Sequence, residues 1–417
     1  NWHNCVRTPS WVRQEWEQKH GLTGLAGDAF ERQLDGVLER IGANDRCSDL
    51  NGPHQRLEEA SKALGYSFKR CMLNVDLKKY EADVAGFTGF GDLTGARMGT
   101  LNTYLDDAYQ RGAKILVRTR AQRILTGQGR ATGVAATSTG ADGKTRSVIV
   151  RAPHIVAACG ALETPALLKR SGIGGAAVGD YLRLHPVVAI SGKYKEDQRA
   201  WWGPPQSGLS DQFLRLEEDH GILIECSHHS LVVAASATPW QSGREHKALM
   251  ADLSHYAGFI GIVRDHGHGR VEVDANGESV PYYPVQDGLD IENLQRALRE
   301  LTLMHQAAGA DRIIGTVGGV LHSWYPGDDI DKFIETLTGP LGTWPALPLF
   351  SAHQMGSARM GSDPTTSVAK PTGELHDTRG VWIGDTSAFP SALGVNPMVT
   401  CMALAARTSE FIAAALR

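Results

Sequence analysis

The chain has 417 residues, 42% hydrophobic and 21% charged, with a formal net charge of −4. That is globular composition, long enough for two or three domains at roughly 150 residues each. It argues against a nucleic-acid partner, since no basic tail and no Lys/Arg stripe interleaved with aromatics is present.

Cys5, Cys47, Cys71, Cys159, Cys226 and Cys401 are scattered and form no C-x-x-C pair, so neither a zinc nor an iron–sulfur site is signalled. Unpaired cysteines fit a reducing compartment, and a cytoplasmic or membrane-associated location is expected ahead of secretion. No apolar run reaches the ~18 residues of a membrane span, and no signal-peptide pattern opens the chain. The chain begins Asn1-Trp2-His3, without a methionine or a short apolar strand before it, as expected of a fragment or a processed protein.

Residues 10–75 read as helices: "SWVRQEWEQKHG" and "DAFERQLDGVLERIG" carry apolar residues at helical spacing and end at Gly21 and Gly42, and the pattern repeats over 56–66. A Gly-rich loop, "GFTGFGDLTGARMG", precedes a helix in "TLNTYLDDAYQRG". Then "KILVRTRAQRIL" and "RATGVAATST" predict strands joined by a "TGQGR" turn, and "SVIVRAPHIVAACG" predicts two more. The helix "ALETPALLKRSG" begins where the last of these ends. Strand, glycine, helix is the geometry of a doubly wound sheet at its ligand edge. The G-x-G-x-x-G phosphate fingerprint is absent, and the glycines of "GFTGFG" are in the wrong order for it.

From 187 to 340 the texture changes to strands, including "VVAISGKYK", "GILIECSHHSLVVAASA", "FIGIVRD", "GRVEVDANGE" and "VPYYPVQD", with one amphipathic helix in "IENLQRALRELTLMHQAAGA". A mixed sheet with flanking helices is expected there, able to wall a cavity. Its aliphatics Ile222, Leu223, Leu231, Val232, Val233, Ile260 and Ile262 suit an apolar ligand or an ordinary core equally well. From 378 the chain returns to a strand over 381–383, an acid at its end (Asp385), a Pro/Gly loop and a last helix from about 398.

Asn396-Pro397 predicts the start of that helix, with Asn as cap and Pro at the first turn. Such a start either merely caps the helix or aims its N–H groups at an anionic ligand. Asp385 is either a turn residue or a ligand-hydroxyl contact at the sheet edge. His353 stands in "SAHQMGS" among small residues and glycines that allow close backbone approach, as in a cavity wall. His228 and His229 are neighbours on a strand-like run and cannot clamp one metal. His266 and His268 share a face in a Gly-rich turn without acidic company. His185, before a proline at the domain change, reads as structural. No Ser lies in a G-x-S-x-G elbow.

Together, "SAHQMGSARMG" and "VWIGDTSAFPSALGVNPMVTCMALAAR" resemble the carboxy-terminal signature of the glucose–methanol–choline (GMC) flavin oxidoreductases. "NWHNCVRTPSWV", "ILVRTRAQRI", "AACGALETPALLKRSGI" and "VGDYLRLHP" resemble further segments of that family, so the likeness runs along essentially the whole chain. "NWHNCVRTP", "WWGPPQSGLSDQF" and "SAHQMGS" look most like its long-chain fatty-alcohol oxidase and dehydrogenase branch. The resemblance implies an α/β (α+β overall) architecture. An incomplete Rossmann-like FAD-binding domain would take 1–186 and 341–417, with a helical insertion over 10–80, and a substrate domain would take 187–340.

It also implies FAD-dependent oxidation of a primary, long-chain aliphatic alcohol to the aldehyde. His353 would take the hydroxyl proton while hydride passes to flavin N5, and Asn396 would hydrogen-bond the substrate oxygen. FAD would be held by Asn1, Asn4, Ala121, Gly160, Gly384, Asp385, Pro397 and Met398, with no metal. Oxygen, a quinone or a cytochrome remain open as acceptor, as do peripheral membrane association, a sterol, polyol or sugar substrate, a cyanohydrin lyase on the same scaffold, and an inactive fragment. This chain departs from the pattern in three places. The family's phosphate loop precedes the point where it begins, residues 83–95 hold no cysteine, and Ala358 stands where many relatives carry Cys.

Overall fold

The computed structural model describes residues 3–88, 91–226, 230–341 and 349–417. In the helix Asp28–Arg40, Phe30, Leu34, Val37 and Leu38 fall on one face at helical spacing and are all buried, while Asp28 and Glu31 occupy the positive first turn. The helix Ser10–His20 ends at Gly21, whose φ of +74° is the left-handed cap that glycine adopts without strain. Both pack with the closing helix Met398–Ala415 in a first core that includes Trp16, Phe30, Phe389, Leu393, Val399 and Ala403. That closing helix is apolar enough along its length to pass for a membrane span by composition. Here its inner face is core, and its Arg407 is buried too.

On this core sits a parallel strand pair, Ile155–Ala157 beside Val381–Ile383, registered Ile155↔Val381 to Ala157↔Ile383. The helix Gly160–Ser171 leaves the end of the first strand and Asp385 follows the second. A three-stranded antiparallel sheet, Thr119–Gly127, Arg130–Thr139 and Thr145–Arg151, lies alongside, as its turn signals predict.

The second core is built on a seven-stranded sheet. In spatial order its strands are Val320–Trp324, Arg312–Val317, Val187–Lys193, Tyr256–Val263, Ile222–Cys226, Gly208–Phe213 and Lys69–Arg70. Expected to be mixed, this sheet is antiparallel at every junction. Only Val320–Trp324 with Arg312–Val317, Gly208–Phe213 with Ile222–Cys226, and Ile222–Cys226 with Tyr256–Val263 are neighbours in chain order, and the other three junctions join strands distant in the chain. Side chains alternate across it: Ile222, Ile224 and Cys226 enter the second core with the helix Gly288–Ala307, while Leu223 turns to the first.

Two local expectations change. "LVVAASA", expected as strand, is the helix Leu231–Ala237, because the Ser230 hydroxyl accepts from the Val233 N–H and caps an alanine-rich turn. The helices expected as one insertion over 10–80 divide between the cores: Leu57 and Ala60 of the helix Gly52–Leu64 belong to the second. His228 and His229 lie outside the described residues.

Arg264, fully buried at the end of Tyr256–Val263, bolts the two cores together. Its Nη2 donates to Glu15 Oε2 at 2.8 Å, Nε to the Ala392 carbonyl at 2.8 Å and Nη1 to the Asp219 carbonyl at 3.0 Å. Burial raises the Glu15 carboxyl, and the Arg264 charge together with the hydrogen bonds from Ser391 and Arg264 brings the net shift downward. Arg264→Met strands that carboxylate and is expected to cost about 3–5 kcal/mol. Urea unfolding checks this, with Glu15→Gln in the same chain recovering part of the loss.

Candidate active site

Pro397 occupies the cap position of the closing helix at φ −85° and ψ −6°, and no side chain among the described residues caps the helix. Asn396, expected as that cap, points elsewhere. It is 7% exposed, and its Oδ1 has no hydrogen-bond partner among the described residues. Its amide stabilises the carboxylate of Glu225, a fully buried residue of the strand Ile222–Cys226. Asn4 Nδ2 donates to Glu225 Oε1 at 2.8 Å and Gln206 Nε2 to Oε2 at 2.8 Å. Asn4 is 3% exposed, and its Oδ1 is likewise unpartnered among the described residues. Burial pushes the Glu225 carboxyl up to about 7, although the Asn4 and Asn396 amides pull it down.

His353 reaches the site from a segment that only glycine can complete. Gly356 has φ +87°, and a Cβ there would come within 2.5 Å of the Tyr181 carbonyl oxygen. His353 Nδ1 lies 3.2 Å from His185 Nδ1, the rings meeting edge to face at 87°. His185 Nε2 accepts the backbone N–H groups of Leu393 at 3.1 Å and Gly394 at 2.8 Å. Those donors fix its tautomer: the His185 proton sits on Nδ1 and is donated to His353 Nδ1. The neutral His353 therefore carries its own proton on Nε2, and a second proton would set two N–H groups against each other. Burial pushes both imidazoles down to about 3, His353 further through the neighbouring His185 and His185 through Arg264.

His185 thus gathers His353 and the loop that leads to Asn396. From sequence alone His185 reads as structural. Its φ of +49° and the grip of Asp265, which accepts the N–H groups of Leu184 and His185, show how the turn is held.

Next to these groups lies an apolar cavity of about 440 Å³. Val187, Ala189, Ile260 and Ile314 floor it, Val233 and Leu249 roof it, and Phe350, Ser351 and Ala352, the residues leading into His353, close one end. The roof is the helix pair Leu231–Ala237 and Gly243–Ala251. Of the aliphatics singled out in the sequence, Ile260 and Val233 face the cavity, Ile222, Leu223 and Ile262 are core, and Leu231 and Val232 are exposed.

The expected cofactor residues fall into separate groups. Asp385 Oδ2 accepts from the Gly160 N–H at 2.9 Å and from Thr164 Oγ1 at 2.5 Å, and Oδ1 accepts from the Ser387 N–H at 2.8 Å. Gly384 packs where a Cβ would meet Val156 at 2.7 Å. Ala121 lines a separate hollow with Cys159 and Glu163. Pro397 and Met398 are at the helix start, Asn4 is on Glu225, and Asn1 lies outside the described residues. His266 does have acidic company: its Nδ1 is 2.9 Å from Asp287 Oδ2 and its N–H is bound by Asp290, both more than twenty positions along the chain.

His54, His185 and His353 each have a folded pKa near 3, far below the unfolded value of about 6.5. The unfolded chain therefore binds more protons between those limits, and these histidines remove stability as pH falls from about 6.5 toward 3. Glu225 acts oppositely, its raised pKa favouring the fold below about 7. Urea midpoints across this range should fall on acidification, and His54→Gln should flatten the slope.

Comparison with known proteins identifies the setting. Residues 1–187 and 265–405 match the two models of the family described as GMC oxidoreductase. The long-chain-alcohol oxidase FAO4A of Arabidopsis thaliana is 30% identical over 97% of this chain and 56% of its own length. An uncharacterised GMC-type oxidoreductase of Mycobacterium tuberculosis is 31% identical over 97% of this chain and 62% of its own. This chain thus spans a little over half the length of its Arabidopsis relatives. Among solved structures, pyridoxine 4-oxidase from Mesorbium loti superposes with a TM-score of 0.69 at 18% identity, covering 98% of this chain and 82% of that one. A formate oxidase gives 0.70 at 16% identity, covering 99% and 82%. With the paired signatures, the shared fold and both family models in agreement, the chain belongs to the GMC oxidoreductase family.

Proposed function

We propose that this protein is an FAD-dependent oxidase or dehydrogenase of long-chain primary alcohols. The observation that carries the reading is the apolar cavity ending at Ser351-Ala352, one residue from His353. An alkyl tail gains about 0.8 kcal/mol per CH₂ buried in such a space. A sugar or polyol would lose its hydrogen bonds there. The similarity to long-chain-alcohol oxidases supports the same substrate class.

The residues present fit the ring end of a flavin. The closing helix starts without a side-chain cap, so its first-turn N–H groups remain turned outward, and the Asn4 and Asn396 oxygens are buried acceptors without partners among the described residues. The fit does not extend to the pyrophosphate, since the chain carries no G-x-G-x-x-G loop. FAD, when bound, supplies the hydride acceptor. In a structural neighbour, the formate oxidase of Aspergillus oryzae, the FAD is modified.

His353 meets the hydroxyl. In its resting tautomer it donates from Nε2 to the alcohol oxygen and polarises it. Taking the hydroxyl proton at that nitrogen requires the other tautomer, with the hydrogen bond from His185 released. Asn396 accepts from or steadies the same hydroxyl, and the cavity excludes water from it.

His353→Ala is expected to lower kcat by roughly 10²–10⁴-fold while FAD content in the purified protein stays unchanged. Anaerobic bleaching of the flavin by a long-chain alcohol checks the reaction class, and a flavin that no alcohol bleaches would end this reading. Ala189→Trp, which fills the cavity floor, should raise KM for long-chain alcohols and leave short ones nearly unaffected.

A further inference from the structure

Within the active site just proposed, one buried group has no role in hydride or proton transfer as assigned above. We propose that Glu225 is a positioning residue that aims the carbonyl oxygens of Asn4 and Asn396 into the site, where the Asn396 oxygen receives the alcohol hydroxyl. The role of the hydroxyl rests on the functional reading, whereas the aiming rests on the protein alone.

An ionised carboxylate only accepts hydrogen bonds. Asn4 and Gln206 both present N–H groups to it at 2.8 Å, on separate oxygens, and the Asn396 amide leans on it as well. Turning either Asn over would set a carbonyl oxygen against a carboxylate oxygen. The charge of Glu225 therefore decides which end of each amide points away, and that end is the oxygen. Both oxygens lack a partner among the described residues, in side chains more than nine-tenths buried. Unpartnered buried acceptors are rare and call for an occupant.

The place fits the purpose. Glu225 pairs across the sheet with Ile260, a floor residue of the apolar cavity, and with Leu209 on its other side. It thus stands at the polar end of the surface that would hold the tail. The other titratable groups against it are the thiols of Cys71, on the segment after Lys69–Arg70, and of Cys226 beside it. Burial raises both well above the ordinary thiol value, so they stay neutral and leave Glu225 the only one of these groups to change charge near neutrality.

When Glu225 binds a proton it gains one O–H, and its side-chain partners Asn4, Asn396 and Gln206 can accept it only by turning an amide over. Where the amide that turns is that of Asn4 or Asn396, the site loses an acceptor. The ionised form is the competent one, so turnover rises with pH through the Glu225 titration, near 7.

The test is to follow the side-chain amide resonances of Asn4 and Asn396 in ¹⁵N-asparagine-labelled protein without alcohol, from pH 5.5 to 8.5. Both should move with one midpoint near 7, and in Glu225→Gln they should be displaced and cease to titrate. In the flavin-loaded enzyme, Glu225→Gln should lower kcat about 10²-fold with KM little changed. Resonances that do not titrate in the wild type, or that are unmoved in Glu225→Gln, overturn the proposal. The wild-type titration decides alone if the variant does not fold. Titrating amides in a protein that oxidises no alcohol would uphold the aiming role and reject the functional reading instead.

Discussion

The site depends on one buried imidazole. His185 receives two main-chain N–H groups on one nitrogen and gives its proton to His353 from the other. Because main-chain N–H groups cannot reverse their polarity, the direction of every hydrogen bond through His185 is settled before any ligand arrives. The loop carrying Asn396 and the segment carrying His353 stand 43 positions apart in the chain. Their shared anchor is a side chain from the boundary between the two cores, held in a left-handed turn by Asp265.

Around that anchor the two cores divide the work. The first supplies the uncapped helix start and the parallel strand pair with Asp385 at its end. The second supplies an antiparallel sheet whose strand Ile222–Cys226 carries one charged residue, Glu225, among apolar ones. Fully buried charge is costly, and strands of a packed sheet rarely carry it without a reason. Here three amides surround the carboxylate, and Arg264 fastens the surfaces a short distance along the neighbouring strand.

Much of this was legible in the chain. The strand at 381–383, the acid after it, the helix from 398 and the small-residue segment around His353 all follow from local rules of capping, turn chemistry and close approach. What was not legible came from contacts between distant residues. His185 looks like a residue before a proline, and only its partners more than 160 positions away give it a role. His266 looked alone because Asp287 lies past two strands. Leu231–Ala237 carries a β-branched pair, but Ser230 caps it as a helix, a local signal that strand periodicity concealed. Asn396 was read as a cap on sound statistics, yet the pull of a buried carboxylate outweighed the weak preference for capping. Glu225 did leave a trace in "GILIEC": a lone acid inside an otherwise apolar strand.

The helix pair above the cavity has thin foundations. Ala234 is the one buried residue of Leu231–Ala237, Gly243–Ala251 has none, and Leu231 and Val232 are 63% and 72% exposed. Segments so lightly anchored open at far lower free energy than the sheet beneath them. A flexible guest therefore need not thread through a fixed portal, because the ceiling can lift over its whole length.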